Sequence, residues 1–90
     1  MLDRTNIDLR DRVALLVRRF MGKRAAARPV ADDDDLRAGG LSSLDIVNLM
    51  LSVEAEFAVK IPERDMTPAN FRSIARIVDL VAALLHPPAA

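Results

Sequence analysis

Two adjacent serines, Ser42 and Ser43, are the residues from which chemistry could be built. They follow Gly39-Gly40-Leu41 and precede Leu44-Asp45. A serine hydroxyl acts as a nucleophile when a base and an orienting group stand beside it. The one histidine, His86, lies next to a Pro-Pro tail, and the chain has no cysteine. A catalytic triad, a thiolate, a disulfide and a Cys/His zinc site therefore lack their parts. The serines read instead as a helix cap and an exposed hydroxyl at a helix start. Asp32 to Asp35 is a run of carboxylates without the spaced ligands and turn glycine of a calcium loop. It reads as a solvated loop or a cap, and no metal site is expected.

The elements that must position these serines are helices. Leu9, Val13, Leu16, Val17 and Phe20 recur at three- and four-residue spacing, which predicts an amphipathic helix from about Ile7 to Gly22. Thr5 or Asn6 is its expected cap, Gly22 its stop, and its arginines and Lys23 its solvent side. Residues 24–41 read as a long loop. Arg28-Pro29 breaks the helix, Leu36 and Leu41 anchor the loop to the core, and Gly39-Gly40 permits a sharp turn. A second helix is expected from about Leu44 to Phe57, with Ile46, Val47, Leu49, Met50, Val53 and Phe57 on its buried face. Ser42 and Ser43 stand at its cap, and Asp45 suits the positive end of its dipole. Ile61 points inward after it. Thr67-Pro68 opens a short helical turn. A last helix runs from about Ser73 to Leu85, capped by Ser73 and stopped by Pro87-Pro88.

The chain has 90 residues, one domain's worth, expected over residues 1–86 with a short mobile tail at 87–90. Aromatic residues make up 3%, so the core must come from aliphatic side chains and Met, a mix that favours helices. The longest apolar run, Leu80 to Leu85, is too short to span a bilayer, and the charged N-terminus does not read as a signal peptide. A cytoplasmic protein is expected. The formal net charge is zero, but residues 1–28 hold eight basic side chains against three acidic, and residues 29–63 hold two against eight. The acids interleaved in the first helix and the acidic loop argue against nucleic-acid binding.

The segment Leu36-Arg37-Ala38-Gly39-Gly40-Leu41-Ser42-Ser43-Leu44-Asp45 resembles the attachment motif of acyl and peptidyl carrier proteins. That motif has an apolar anchor, then Gly-X-(Asp or Ser)-Ser-Leu leading into a helix. Glu54-Ala55-Glu56-Phe57 matches the family's helix ending, Ile61-Pro62 follows at the usual place, and Phe71-Arg72-Ser73-Ile74 resembles the approach to its last helix. The resemblance covers roughly residues 30–85.

It implies an all-α, acyl-carrier-like bundle of three principal helices plus one short helix, itself no enzyme and a monomer. It also implies 4'-phosphopantetheine transferred from coenzyme A to Ser43, the serine that precedes Leu44 and follows Gly40 by three. Cargo would be held as a thioester and presented to partners. Those partners are a magnesium-dependent phosphopantetheinyl transferase, a loading ligase or synthase, and a downstream acyltransferase. The family's docking face maps onto Leu41, Ser42, Leu44, Asp45, Val47, Asn48, Met50, Leu51 and Glu54, with Leu41, Leu44, Val47 and Met50 flanking the arm.

The chain departs from the family's fatty-acid carriers in its neutral charge, its basic first helix, Asn48 where Glu is common, and Gly39 in place of an apolar residue. Docking is expected to rest on shape and apolar contact, in a specialised pathway (amino acid carriage, polyketide or lipid modification). From Ala38 to Phe57 the chain is similar to small bacterial carriers charged with amino acids by a truncated, synthetase-like amino acid:carrier ligase. The competing reading is a helical adaptor with no prosthetic group.

Overall fold

The computed structural model describes residues 4–22 and 30–86. Among the described residues, three α-helices, α1 (Arg4–Met21), α2 (Ser43–Phe57) and α3 (Ile74–Leu85), form the bundle. Two 3-10 turns, Glu63–Asp65 and Pro68–Phe71, connect α2 to α3. No strand occurs among the described residues. The all-α expectation holds, with two 3-10 turns where one short helix was expected. Residues 23–29, including Lys23 and the Arg28-Pro29 break, and the tail at 87–90 lie outside the described residues.

The caps follow from the side chains available. Ser73 Oγ accepts the Arg76 N–H at 3.2 Å, and Thr67 Oγ1 accepts the Asn70 N–H at 3.4 Å with Pro68 at the first helical position. Helix α1 begins earlier than its apolar stripe suggested. Thr5 and Asn6 therefore sit inside the helix and not at its cap. It stops where expected: Gly22 takes φ +60°, and its N–H donates to the Arg18 carbonyl at 2.9 Å.

The core joins all three helices and the loop. Leu9, Val13, Leu16 and Val17 of α1 meet Ile46, Leu49, Val53 and Phe57 of α2 and Ile74, Ile77 and Val81 of α3, all buried. Leu36, Leu41, Ile61 and Phe71 close the gaps between helices and are also buried. Each such side chain contributes about 1.5–3 kcal/mol by leaving water. Val47, expected on the buried face, is 49% exposed. It sits one position past Ile46, and 100° of helical rotation carries it out of the apolar seam.

The acidic run does more than meet water. Asp32 takes the guanidinium of Arg10 through three contacts of 2.6–3.1 Å, while its carbonyl accepts the Ala75 N–H at the start of α3. Asp34 accepts the Ala31 N–H, and Asp35 accepts those of Arg37 and Ala38 and pairs with Arg72 at 3.4 Å. The Leu36 N–H donates to the Arg72 carbonyl. These bonds clasp the loop onto α1 and onto the start of α3, and so fix the segment that leads to the serines.

Candidate functional site

Helix α2 starts with a capping box. Ser42 Oγ accepts the Asp45 N–H at 3.1 Å, and the Asp45 carboxylate accepts the Ser42 N–H at 2.9 Å. Ser42 is thereby the cap, as its position suggested. Ser43 is the first helical residue, and it is exposed. The Ile46 N–H returns to the Ser42 carbonyl at 3.0 Å. The N–H groups of Ser43 and Leu44 find no acceptor among the described residues, so two backbone donors remain at the helix start beside the Ser43 hydroxyl.

The approach to Ser43 is a tight turn. The Gly39 N–H donates to the Asp35 carbonyl, the Gly40 N–H to that of Arg37, and the Leu41 N–H to that of Leu36. Gly40 has φ +116°, a conformation that a side chain disfavours. A Cβ at Gly39 would stand 3.3 Å from Met21 Cε. The end of α1 thus lies against this turn, and buried Met21 covers the spot where the family carries an apolar residue.

Carboxylates on this side are set by local donors. Asp35 is held below the usual carboxylate range by the Ala38 N–H first, with the Arg37 N–H and Arg72 adding to it. Asp32 is lowered chiefly by its hydrogen bond to Arg10, whose own pKa is raised by the same contact.

Of the residues expected to meet partners, Leu44, Val47 and Leu51 are exposed at 67%, 49% and 54%. They form an apolar stripe at three- and four-residue spacing that starts beside Ser43. Asn48 is exposed next to it. Leu41 and Met50, expected both in the core and on the docking face, are 2% and 7% exposed, so their place in the core holds and their place on the docking face is corrected. Leu41 is the anchor that pulls the turn inward, and Met50 follows Leu49 and Ile46 around the buried side of α2. Glu54 is also diverted from docking, because its Oε2 accepts the Ile61 N–H at 2.7 Å. That bond ties the extended segment to α2 and explains the use of the Glu in Glu-X-Phe. The sequence reading missed a second tie. Arg12 grips Glu56 Oε2 and the Glu56 carbonyl and lies 4.4 Å above the Phe57 ring. Only the distant pairing of α1 with α2 makes this visible.

An exposed hydroxyl at a capped helix start, with backbone donors free to face an anion, fits a phosphodiester-linked prosthetic group. The fold and this site define a small carrier protein. Residues 11–81 match the family described as phosphopantetheine attachment site. The chain is 41% identical over 85 residues to Aminoacyl carrier protein 1 of Bradyrhizobium diazoefficiens, covering 94% of each. It is 41% identical over 70 residues to Aminoacyl carrier protein 2 of that organism, covering 78% of this chain and 79% of the relative.

Among solved structures, it resembles a chain from the crystal structure of Bradyrhizobium japonicum glycine:[carrier protein] ligase complexed with cognate carrier protein and an analogue of glycyl adenylate. That match has TM-score 0.62 and 34% identity, and it covers 79% of this chain and 96% of that chain. Coverage of 96% by a chain this small identifies the matched chain as the carrier.

This chain belongs to the phosphopantetheine attachment site family of carrier proteins, and its prosthetic group is covalent 4'-phosphopantetheine. The adaptor reading without a prosthetic group is set aside by that membership. No described helix is long and apolar enough to cross a membrane.

Proposed function

We propose that Ser43 is the attachment residue and that the protein carries an amino acid as a thioester, loaded by an amino acid:[carrier protein] ligase. The observation that carries the assignment is the division of labour between the two serines. Ser42 is held by the capping box, and Ser43 is exposed on the first turn. In the attachment step the Ser43 oxygen forms the new bond to phosphorus and gives up its proton, and coenzyme A releases adenosine 3',5'-bisphosphate. When bound, the arm supplies the thiol that the chain itself lacks.

The chain's own residues hold and present. The capping box fixes the first turn of α2, the backbone N–H groups of Ser43 and Leu44 face the anion, and the Leu44, Val47 and Leu51 stripe offers a partner an apolar footing. Bond making and breaking on the cargo belong to partner enzymes, and the protein works in the cytoplasm. Amino acid cargo is supported by the names of the two relatives and by the glycine:[carrier protein] ligase in the similar structure's complex.

The test is loading of the holo protein with ATP, single amino acids and such a ligase. The account expects one aminoacyl group per chain, released by hydroxylamine and absent from Ser43→Ala. Stable holo protein that accepts acyl groups but no amino acid would overturn the cargo assignment.

A further inference from the structure

The two glycines that precede the serines answer different constraints. Gly40 takes φ +116°, where a side chain is disfavoured. Gly39 has no positive φ, so its backbone would accept most residues. What limits a side chain there is space. A Cβ would stand 3.3 Å from Met21 Cε and 3.5 Å from the carbonyl oxygens of Asp35 and Leu36.

Met21 is the last residue of α1, and Gly22, at φ +60°, ends the helix directly after it. The Met21 side chain is buried, and its methyl lies against a turn whose outer residues, Arg37 to Gly40, are all exposed. The turn is seated from inside. Leu36 and Leu41 are buried at its two ends. The Leu41 N–H donates to the Leu36 carbonyl at 3.1 Å, and the Leu36 N–H donates to the Arg72 carbonyl at 2.8 Å. These contacts fix the ends of the turn. Met21 meets its middle at Gly39, and α2 begins directly after the turn, with Leu41 followed by the Ser42 cap and then Ser43.

We propose that Met21 is a positioning residue for attachment of the arm: its methyl, in the space that Gly39 leaves, sets the height of the turn and through it the place of the Ser43 oxygen. The proposal rests on Ser43 being the attachment residue. Interiors are close-packed, so a change of one methyl beneath the turn is felt. Attack on phosphorus needs the serine oxygen correctly placed, and a misplacement of about 1 Å can cost on the order of a hundredfold in rate. The footing offered by Leu44, Val47 and Leu51 is on the exposed side of α2 and is left as it is. The loss therefore falls on kcat and not on KM.

The test is modification of apo protein by a broad-specificity phosphopantetheinyl transferase with coenzyme A and magnesium, at a temperature where melts show each variant folded. The arm is mapped to its serine by mass. Met21→Ala and Gly39→Leu should each lower kcat at least about fivefold, with KM little changed. Gly39→Leu/Met21→Ala, in which the new side chain takes the vacated space, should recover most of the kcat, because residues in contact are not additive. Val81→Ala, a cavity in the part of the core under α3, should lower the melting temperature and leave both constants unchanged. Should a single variant fail to fold, Gly39→Ala alone and then with Met21→Leu gives the same contrast in a milder form. The amide shifts of Leu41 to Ser43 should move in the single variant and return in the double. Folded single variants with wild-type kcat, or a double variant whose loss is the product of the two single losses, would overturn the proposal. Wild-type protein that takes no arm, or takes it on Ser42, would defeat the attachment reading and the proposal with it.

Discussion

Ser42 and Asp45 hold each other through two backbone bonds, 3.1 Å from the Asp45 N–H to Ser42 Oγ and 2.9 Å from the Ser42 N–H to the Asp45 carboxylate. This reciprocal contact gives two neighbouring serines different fates. Both residues are exposed, but the Ser42 hydroxyl is engaged in the cap and that of Ser43 is not. Ser42→Ala should therefore destabilise the fold by about 0.5–2 kcal/mol and still accept the arm. Denaturant melts combined with intact mass check both halves. Loss of the arm in a folded Ser42→Ala protein would place the attachment on the wrong serine.

Ala58 closes α2 in the left-handed region, φ 52° and ψ 44°, with the Val59 N–H returning to the Glu54 carbonyl at 3.1 Å. A side chain there costs roughly 1–2 kcal/mol relative to its relaxed geometry, and glycine avoids most of it. Ala58→Gly should raise stability by about 1 kcal/mol, less whatever entropy the freer unfolded chain gains. A rise in denaturation midpoint with unchanged slope is the expected result.

Leu41 and Leu44 stand three residues apart and do opposite work, one 2% and the other 67% exposed. Leu41→Ala should cost about 2–5 kcal/mol through the cavity it leaves. Leu44→Ala should change stability by no more than about 0.5 kcal/mol while slowing transfer between partner and arm. Melting and loading rates measured on the same two variants separate core from docking surface.

The Arg10–Asp32 contact makes the loop clasp sensitive to acid. Asp32 is depressed in the folded protein, so its stabilising contribution is present above the unfolded carboxylate pKa of about 4 and fades as pH falls through the lower folded value. Asp32→Asn should lower Tm at pH 7 and make little difference at pH 2. The pair is partly solvated, with each side chain 43% exposed, so the loss at pH 7 should be modest. An equal drop at both values would mean that packing, not ionisation, carries the effect.

Much of this arrangement was legible in the sequence because it depends on neighbours. Ser42, Thr67 and Ser73 were readable as caps, Leu36 and Ile61 as inward anchors, and Gly22 as a stop, each from a few adjacent residues. What escaped depends on distant parts of the chain. The acidic run looked like a plain solvated loop, because nothing local shows Arg10 meeting Asp32 or Arg72 meeting Asp35. Met50 and Leu41 were legible as core residues from spacing and also stood in the resemblance's docking set; the packing of the helices decides for the core. Glu54 looked like part of a docking face, yet it bonds a backbone N–H seven residues on.

The most direct measurement is the intact mass of apo protein before and after incubation with a broad-specificity phosphopantetheinyl transferase, coenzyme A and magnesium, with Ser42→Ala and Ser43→Ala alongside. The account predicts a gain of one phosphopantetheine in wild type and Ser42→Ala, and none in Ser43→Ala. A gain in Ser43→Ala, or none in folded wild-type protein, would contradict it.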